Sequence, residues 1–549
     1  IGGEDDVITG VAKYTQLVLM KVFPDLDSGG RTEDILAALE DAVLIGVDAI
    51  NMSLGSSCGF TRAGKDEDYI NTVYDKIDEA GISLITAASN SYNSGYGGEQ
   101  GNTNMVTNPD SATVGSPSTY NAALSVASIS GTMSQYMLVN DSQIIFFNES
   151  NALTGKENHF FDELYKSQNW TSSSSYTIKY VTVPGVGSSA NYTGLNVKGK
   201  VALVRRGTNT FEEKAAAAKK AGAIACIIYN NIDGDILMSM GKSDHIPTIS
   251  ISKSDGTKMA SVAEGTIVIS HSNQAGPFMS DFSSWGPTPS LELKPEITAH
   301  GGNIKSSVPG GGYDELSGTS MATPNLCGVV ILIRQYLKEK FPTYSHKQIS
   351  VMCNQMLMST ATIAVNEQGN PYSPRKQGAG LASISAVSKT KAYLTVDGKE
   401  KTKIELKDDP KRTGVYTLKF NVVNVSDTPI SYNLGIIGMT ETVSEADEKH
   451  IAERDQLLND NYTATATGDG SLSGKTVTVN ANGTLSVTMT YKLTDAEKSM
   501  IDSLFPYGMY VEGFVTLKPV NDGEVALNAP FLAFYGDWTE APMFDKTYY

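Results

Sequence analysis

The chain has 549 residues, with 60 acidic against 43 basic side chains and a formal net charge of −17. That balance argues against nucleic acid or an anionic lipid surface as partner. No apolar run reaches the roughly 18 residues that span a bilayer, and 40% hydrophobic against 19% charged residues marks a globular chain. The length suits about three or four domains.

Residues 17–23, Leu-Val-Leu-Met-Lys-Val-Phe, are nearly all apolar, the pattern of a strand buried on both faces. Ile35, Leu36, Leu39, Ala42 and Val43 follow helical spacing, and Gly46 suits the C-terminal stop. Residues 47–52 read as a strand, 66–80 as a helix ended by Gly81, and 82–88 as another strand. Strands alternating with helices predict a parallel sheet with helices on both faces, an α/β fold. Ligands sit at the carboxyl ends of such strands, so the loops after Met52 and Ala88 are where chemistry is sought.

The rhythm breaks near Thr132. A strand at 199–207, an alanine- and lysine-rich helix at 211–221 and a strand at 223–229 form a small α/β unit of their own. Its basic residues Arg205, Arg206, Lys214, Lys219 and Lys220 read as an ordinary solvated face. The first pattern resumes at Phe278, so residues 133–273 read as an insertion between the halves of one domain, 1–132 and 274–390. From 391 to 549 the chain turns to short alternating strands (416–423, 429–436, 475–479, 484–491 and 508–517), the signature of a β-sandwich. Residues 446–457 and 495–504 read as its helical interruptions. Four cysteines, Cys58, Cys226, Cys327 and Cys353, fit neither a zinc motif nor a small disulfide framework. The last three lie in apolar surroundings, as core thiols do.

The most informative string is Gly318-Thr319-Ser320-Met321-Ala322-Thr323-Pro324. Ser320 precedes the apolar stretch 326–336, which reads as a buried helix with Pro324 in its first turn. At a helix N-terminus the N–H groups lack intrahelical partners and the dipole favours negative charge. An oxyanion forming beside Ser320 is therefore stabilised. A serine there is also what an ordinary helix cap looks like, and it is the full string that speaks for more.

That string, with Gly10-Val11-Ala12, Ile50-Asn51-Met52-Ser53-Leu54-Gly55 and Thr86-Ala87-Ala88-Ser89-Asn90, resembles the subtilisin-like serine proteases (subtilases) in content and order. Residues 199–207 and 219–223 resemble a protease-associated (PA) domain, and the chain from Tyr416 a fibronectin type III-like domain. The layout is similar to cell-envelope proteinases, the lactocepins and the streptococcal complement-peptide-cleaving peptidases. The resemblance implies an exported endopeptidase, extracellular or on a Gram-positive cell wall, acting on proteins or peptides. It implies Ser320 as nucleophile and Asn90 as oxyanion donor beside the Ser320 N–H. Ser53, Leu54 and Gly55 would form one wall of the specificity pocket, and Ala87, Ala88 and Ser89 the other. The family writes glycine where Ser89 stands, so Ser89 must accept a glycine-like conformation. No cofactor is required. Calcium is common in the family, but no metal ligand can be assigned.

A nucleophilic serine needs a histidine base and an aspartate to orient it. None of His159, His245, His271, His300, His346 and His450 stands in the family's histidine setting. His300 reads as a loop histidine. Asp27-Ser28-Gly29 looks like the aspartate signature but follows the 17–23 strand, too late for the family's order, and reads instead as lining an outer subsite. Ile1-Gly2-Gly3 resembles the tail of the histidine helix, so the aspartate and histidine are expected upstream, on an N-terminal fragment. The competing readings are a non-catalytic binding protein derived from a subtilase and an adhesin working through the sandwich.

Overall fold

A computed structural model describes residues 1–25, 29–59, 69–93, 96–97, 102–150, 159–232, 236, 238–240, 245–444 and 449–542. The chain divides into two compact units, Ile1–Thr132 with Pro277–Tyr549, and Met133–Gly276. Asp27 lies outside the described residues.

The first unit is built on four parallel strands in the order Ala49–Met52, Ser83–Ala87, Ala123–Ser130, Ile297–Gly302. The alternation of side chains along each strand sorts them to two faces. On one face Ile85, Leu124, Val126 and Ala299 pack against Leu326, Val330 and Ile333 of the helix Thr319–Lys340. On the other, Met52, Leu84 and Ala123 pack against Leu39 of the helix Thr32–Ile45 and Ile77 of the helix Tyr69–Glu79. Gly46 ends the first of these helices at φ 74°, its N–H bonding Ala42 O and Val43 O. This is the α/β sheet with helices on both faces that the sequence implied.

Residues 17–23 form no strand, contrary to expectation. Leu17, Val18, Leu19 and Phe23 are 51%, 46%, 89% and 39% exposed. Apolar side chains alone do not make a buried strand: the backbone N–H and C=O groups also need a neighbour. Among the described residues the sheet ends at Ala49–Met52, which pairs only with Ser83–Ala87.

From residue 392 onward this unit forms a sandwich of a four-stranded sheet (Ala392–Thr395, Val415–Asn424, Thr484–Lys492, Tyr462–Gly468) facing a seven-stranded one. The longest strands of the second are Ile430–Val443, Met509–Pro519 and Leu527–Tyr535. The helix Asp495–Leu504 forms as expected, with Thr494 and Glu497 as its capping box. Of the helix expected at 446–457, residues 446–448 lie outside the described residues, and the rest is not helical. Ile451–Leu457 is a strand paired antiparallel with Ile430–Val443, Met439 opposite Leu457. Tertiary pairing overrides local helical preference there.

In Met133–Gly276, four parallel strands, Tyr176–Thr182, Val201–Arg205, Ala225–Tyr229 and Thr248–Ile251, form the centre of the sheet. The alanine-rich helix is Phe211–Lys220, capped by Thr210. Its basic residues do not form one solvated face. Arg205, Lys219 and Lys220 are exposed, but Lys214 is fully buried and donates to Val186 O. Lys214 shares the sheet-facing side with Ala215, Ala217 and Ala218, whose small side chains leave it room.

Candidate active site

Ser320 is the second residue of the helix Thr319–Lys340, whose N-cap is Gly318. The leading N–H groups of a helix have no acceptor within it and must find partners elsewhere. Thr319 donates both its N–H and its hydroxyl to Asn90 Oδ1, each at 2.9 Å. Met321 N–H turns back to Gly318 O at 2.9 Å. Between them, the N–H of Ser320 has no acceptor among the described residues.

Asn90 stands three residues past the strand Ser83–Ala87, at the carboxyl end of the sheet. With its oxygen engaged by Thr319, its amide N–H₂ has no acceptor among the described residues. A methyl group built on Gly318 would stand 3.4 Å from Met321 Sδ, 3.5 Å from Asn90 Nδ2 and 3.6 Å from Ser320 N. Two donors without acceptors among the described residues thus flank one small space at the positive end of a 22-residue helix. A negatively charged oxygen is what that space suits.

Pro324 lies inside the helix, not in its first turn as the sequence suggested. It lacks the N–H that would bond the carbonyl four residues back, which is that of Ser320. Ser53 Oγ supplies the missing donor, at 2.9 Å from Ser320 O, and Ser320 Oγ lies 3.4 Å from Ser53 O. The strand end at 53 and the helix start at 320 are therefore tied by side chains in both directions.

The two expected pocket walls are joined by the segment Gly115–Ser116. Ser56 pairs with Ser116, and Gly115 N–H bonds Ala88 O at 2.9 Å. Gly115 admits no side chain: a Cβ there would sit 2.3 Å from Ser56 O. Ala87 and Ala88 are buried, and both backbone groups of Ala88 are engaged, its N–H by Val126 O and its C=O by Gly115. Leu54 packs against the Leu39–Ile77 cluster. Ser53, Gly55 and Ser89 reach the surface in whole or part.

Ser89 has φ 92°, the glycine-like conformation that the motif required of it. Ser89→Gly is expected to keep stability within about 1 kcal/mol of the parent. Ser89→Val is expected to lose about 2 kcal/mol, because a β-branched residue resists positive φ. Urea unfolding midpoints measure both.

His300 lies on the strand Ile297–Gly302, not in a loop, and its Nδ1 is 2.8 Å from Ser130 O. Among the described residues no histidine ring bonds Ser320. Burial pushes Cys226, Cys327 and Cys353 up to about 12, and burial with the Asp110 charge raises Cys58. Among the described residues no group of three or more His, Cys, Asp or Glu is placed to hold a metal ion. No helix among them is long and apolar enough to cross a membrane. Sequence reading missed Thr319 as the holder of Asn90; its place beside the serine was the only signal.

Residues 237–380, which include Ser320, match the subtilase family. The chain carries a subtilase domain. Residues 175–259 match the PA domain, and residues 404–532 an Fn3-like domain. The PI-type proteinase of Lactococcus lactis subsp. cremoris is 30% identical over 98% of this chain and 28% of its own length. The C5a peptidase of Streptococcus pyogenes is 28% identical over 98% of this chain and 44% of its own length. The chain thus spans between about a quarter and a half of these relatives. Among solved structures, the psychrophilic subtilisin-like protease Apa1 from an Antarctic Pseudoalteromonas aligns over 67% of this chain and 76% of its own, at 19% identity and a TM-score of 0.30. The subtilase domain thus holds Ser320 and is followed by the Fn3-like sandwich.

Proposed function

We propose that the protein is an exported serine endopeptidase that cleaves extracellular proteins or peptides through an acyl-enzyme on Ser320. The observation that carries this reading is the pair of open donors, Asn90 Nδ2 and Ser320 N, beside the serine. The Ser320 hydroxyl attacks a peptide carbonyl, and the carbonyl oxygen takes up negative charge between those two donors. Collapse of that intermediate expels the amine and leaves an ester on Ser320, which water then hydrolyses. The relatives are named proteinase and C5a peptidase, in keeping with a protein or peptide substrate. Ser53, Gly55 and Ser89 border the place where a substrate strand would lie, and Leu54, Ala87 and Ala88 back it from within the fold.

The base is then a histidine oriented by an aspartate, both on a segment outside these 549 residues, since among the described residues no histidine ring bonds Ser320. The strand Ala49–Met52, unpaired on one side among the described residues, and the exposed apolar run 17–23 are surfaces for such a segment to cover. Secretion to the surface or cell wall of a Gram-positive bacterium completes the reading.

The test is covalent. The protein together with that segment is treated with a biotinylated fluorophosphonate, digested and mapped. The expected product is a single adduct on the peptide holding Ser320. An adduct confined to another serine, or none at all, overturns the assignment.

A further inference from the structure

Besides its bonds to Thr319 and Ser57, the loop that carries Asn90 is held by the segment 282–286. Ser284 N–H donates to Ser89 O at 3.0 Å, and Ser91 N–H donates to Ser284 Oγ at 2.9 Å, so Ser284 brackets Asn90 on both sides. Tyr92 N–H donates to Phe282 O at 3.0 Å. Thr113 ties the two further: its hydroxyl donates to Tyr92 O and accepts from Trp285 N–H. The N–H groups of Thr113 and Val114 both donate to Trp285 O at 2.9 Å. Ser284 and Trp285 are buried.

This segment is in turn fixed to Arg375. Gly286 N–H donates to Arg375 O at 2.9 Å, and the Arg375 guanidinium lies 5.6 Å from the Trp285 ring. Arg375 is fully buried, and its charge is met by the Fn3-like sandwich. Its Nε and Nη2 donate to Glu512 at 2.9 and 3.0 Å, Nη2 also reaches Glu441, and the Tyr510 ring lies 3.9 Å away. Ser373, which caps the short helix Pro374–Gln377, donates to Glu512 at 2.8 Å. A two-point guanidinium–carboxylate pair fixes orientation as well as position.

We propose that Arg375, clamped by Glu512 and Glu441, is a positioning residue for Asn90: through Trp285 and Ser284 it sets where the Asn90 amide stands relative to Ser320. The sandwich is then a buttress for the oxyanion donor and not only an appendage. This rests on the proposed role of Asn90. A donor displaced by a fraction of an ångström loses most of its advantage in the transition state while substrate binding is little changed.

A double-mutant cycle tests it on the complete protease, with kcat and KM on a peptide substrate. Arg375→Lys keeps the charge but not the two-point pairing. It is expected to lower kcat about 10-fold and leave KM within about 2-fold. In an Asn90→Ala background the same substitution is expected to change kcat by less than about 2-fold, because the group it positions is gone. Ser284→Ala, which removes only the hydroxyl that receives Ser91 N–H, is expected to behave alike and serves where Arg375→Lys does not fold. Equal losses in both backgrounds mean a general structural effect and overturn the proposal, as does no loss in either. An Asn90→Ala protein with undiminished kcat would instead show that the oxyanion assignment itself is wrong.

Discussion

Ser320→Ala is expected to lower kcat by about 10⁶-fold, the loss known for the nucleophile of a subtilisin, with the fold and KM retained. Ser320 is half-buried at the start of its helix, and its hydroxyl makes one long contact, 3.4 Å to Ser53 O. Removing one oxygen there costs little in packing. Asn90→Ala is expected to act differently. Its amide stabilises charge only as charge develops, so kcat falls about 10²–10³-fold, a range known from a subtilisin asparagine, while KM stays within a few-fold. Asn90 Oδ1 also receives two bonds from Thr319, so part of that loss reflects a helix start freed to shift. Asn90→Asp separates the two effects. It keeps the acceptor for Thr319 but places a carboxylate where the amide donated, and its kcat is expected to be as low as that of Asn90→Ala or lower. Turnover of a peptide substrate with the complete protein measures all three. A Ser320→Ala protein within 100-fold of the parent would end the acyl-enzyme reading.

Two strands of the sheet, Ala49–Met52 and Ser83–Ala87, the buried helix and the serine at its tip were legible because each follows from local pattern. Apolar spacing gives the elements, and Gly318 to Pro324 lies contiguous along the chain. Three things were not legible, each for a physical reason. Residues 17–23 look like a strand because side-chain pattern records burial, not whether a neighbouring backbone exists to pair with. Ile451–Leu457 looks helical until the long strand Ile430–Val443 supplies a partner. Pro324 suits a first turn, but its place within the helix becomes intelligible only when Ser53, 267 positions before Ser320, donates to the Ser320 carbonyl that the proline leaves open. The support behind Asn90 was equally hidden. Ser284 and Trp285 are ordinary residues in sequence and gain meaning only from the backbone they touch.

The largest effect expected on stability belongs to a carboxylate far from any chemistry. Glu296 is fully buried at the start of the strand Ile297–Gly302 and shared by three ammonium groups: Lys294 at 2.8 Å, Lys403 at 3.1 Å and Lys401 at 3.5 Å. It also accepts Ser125 N–H at 2.8 Å. Lys401 and Lys403 precede the first strand of the larger sandwich sheet, so one side chain joins the subtilase sheet to the sandwich. Glu296→Ala leaves those cations buried without their common partner and is expected to destabilise by about 3–5 kcal/mol. The pH dependence follows from the groups themselves. Burial pushes the Glu296 carboxyl up, but the three lysines outweigh it and hold it down, from 4.5 to about 2. A folded pKa below the unfolded one means stability that is full above about pH 4.5 and drains away toward pH 2. Glu405, beside Lys403 and Lys399 and also held to about 2 against its burial, adds to the same loss. Lys294 runs the other way. Burial, with Lys401 and Lys403 nearby, lowers it from 10.5 to about 7. Between those values the folded state holds fewer protons than the unfolded, so stability gains with rising pH. The damage in Glu296→Ala is therefore expected to be greatest near pH 6, where Lys294 is charged, and smaller at pH 9, where it can shed its proton. Urea midpoints of parent and variant at pH 3, 6 and 9 measure this. A variant within 1 kcal/mol of the parent at pH 6 would mean that the three ammonium groups find other partners and that Glu296 does not hold the two parts together.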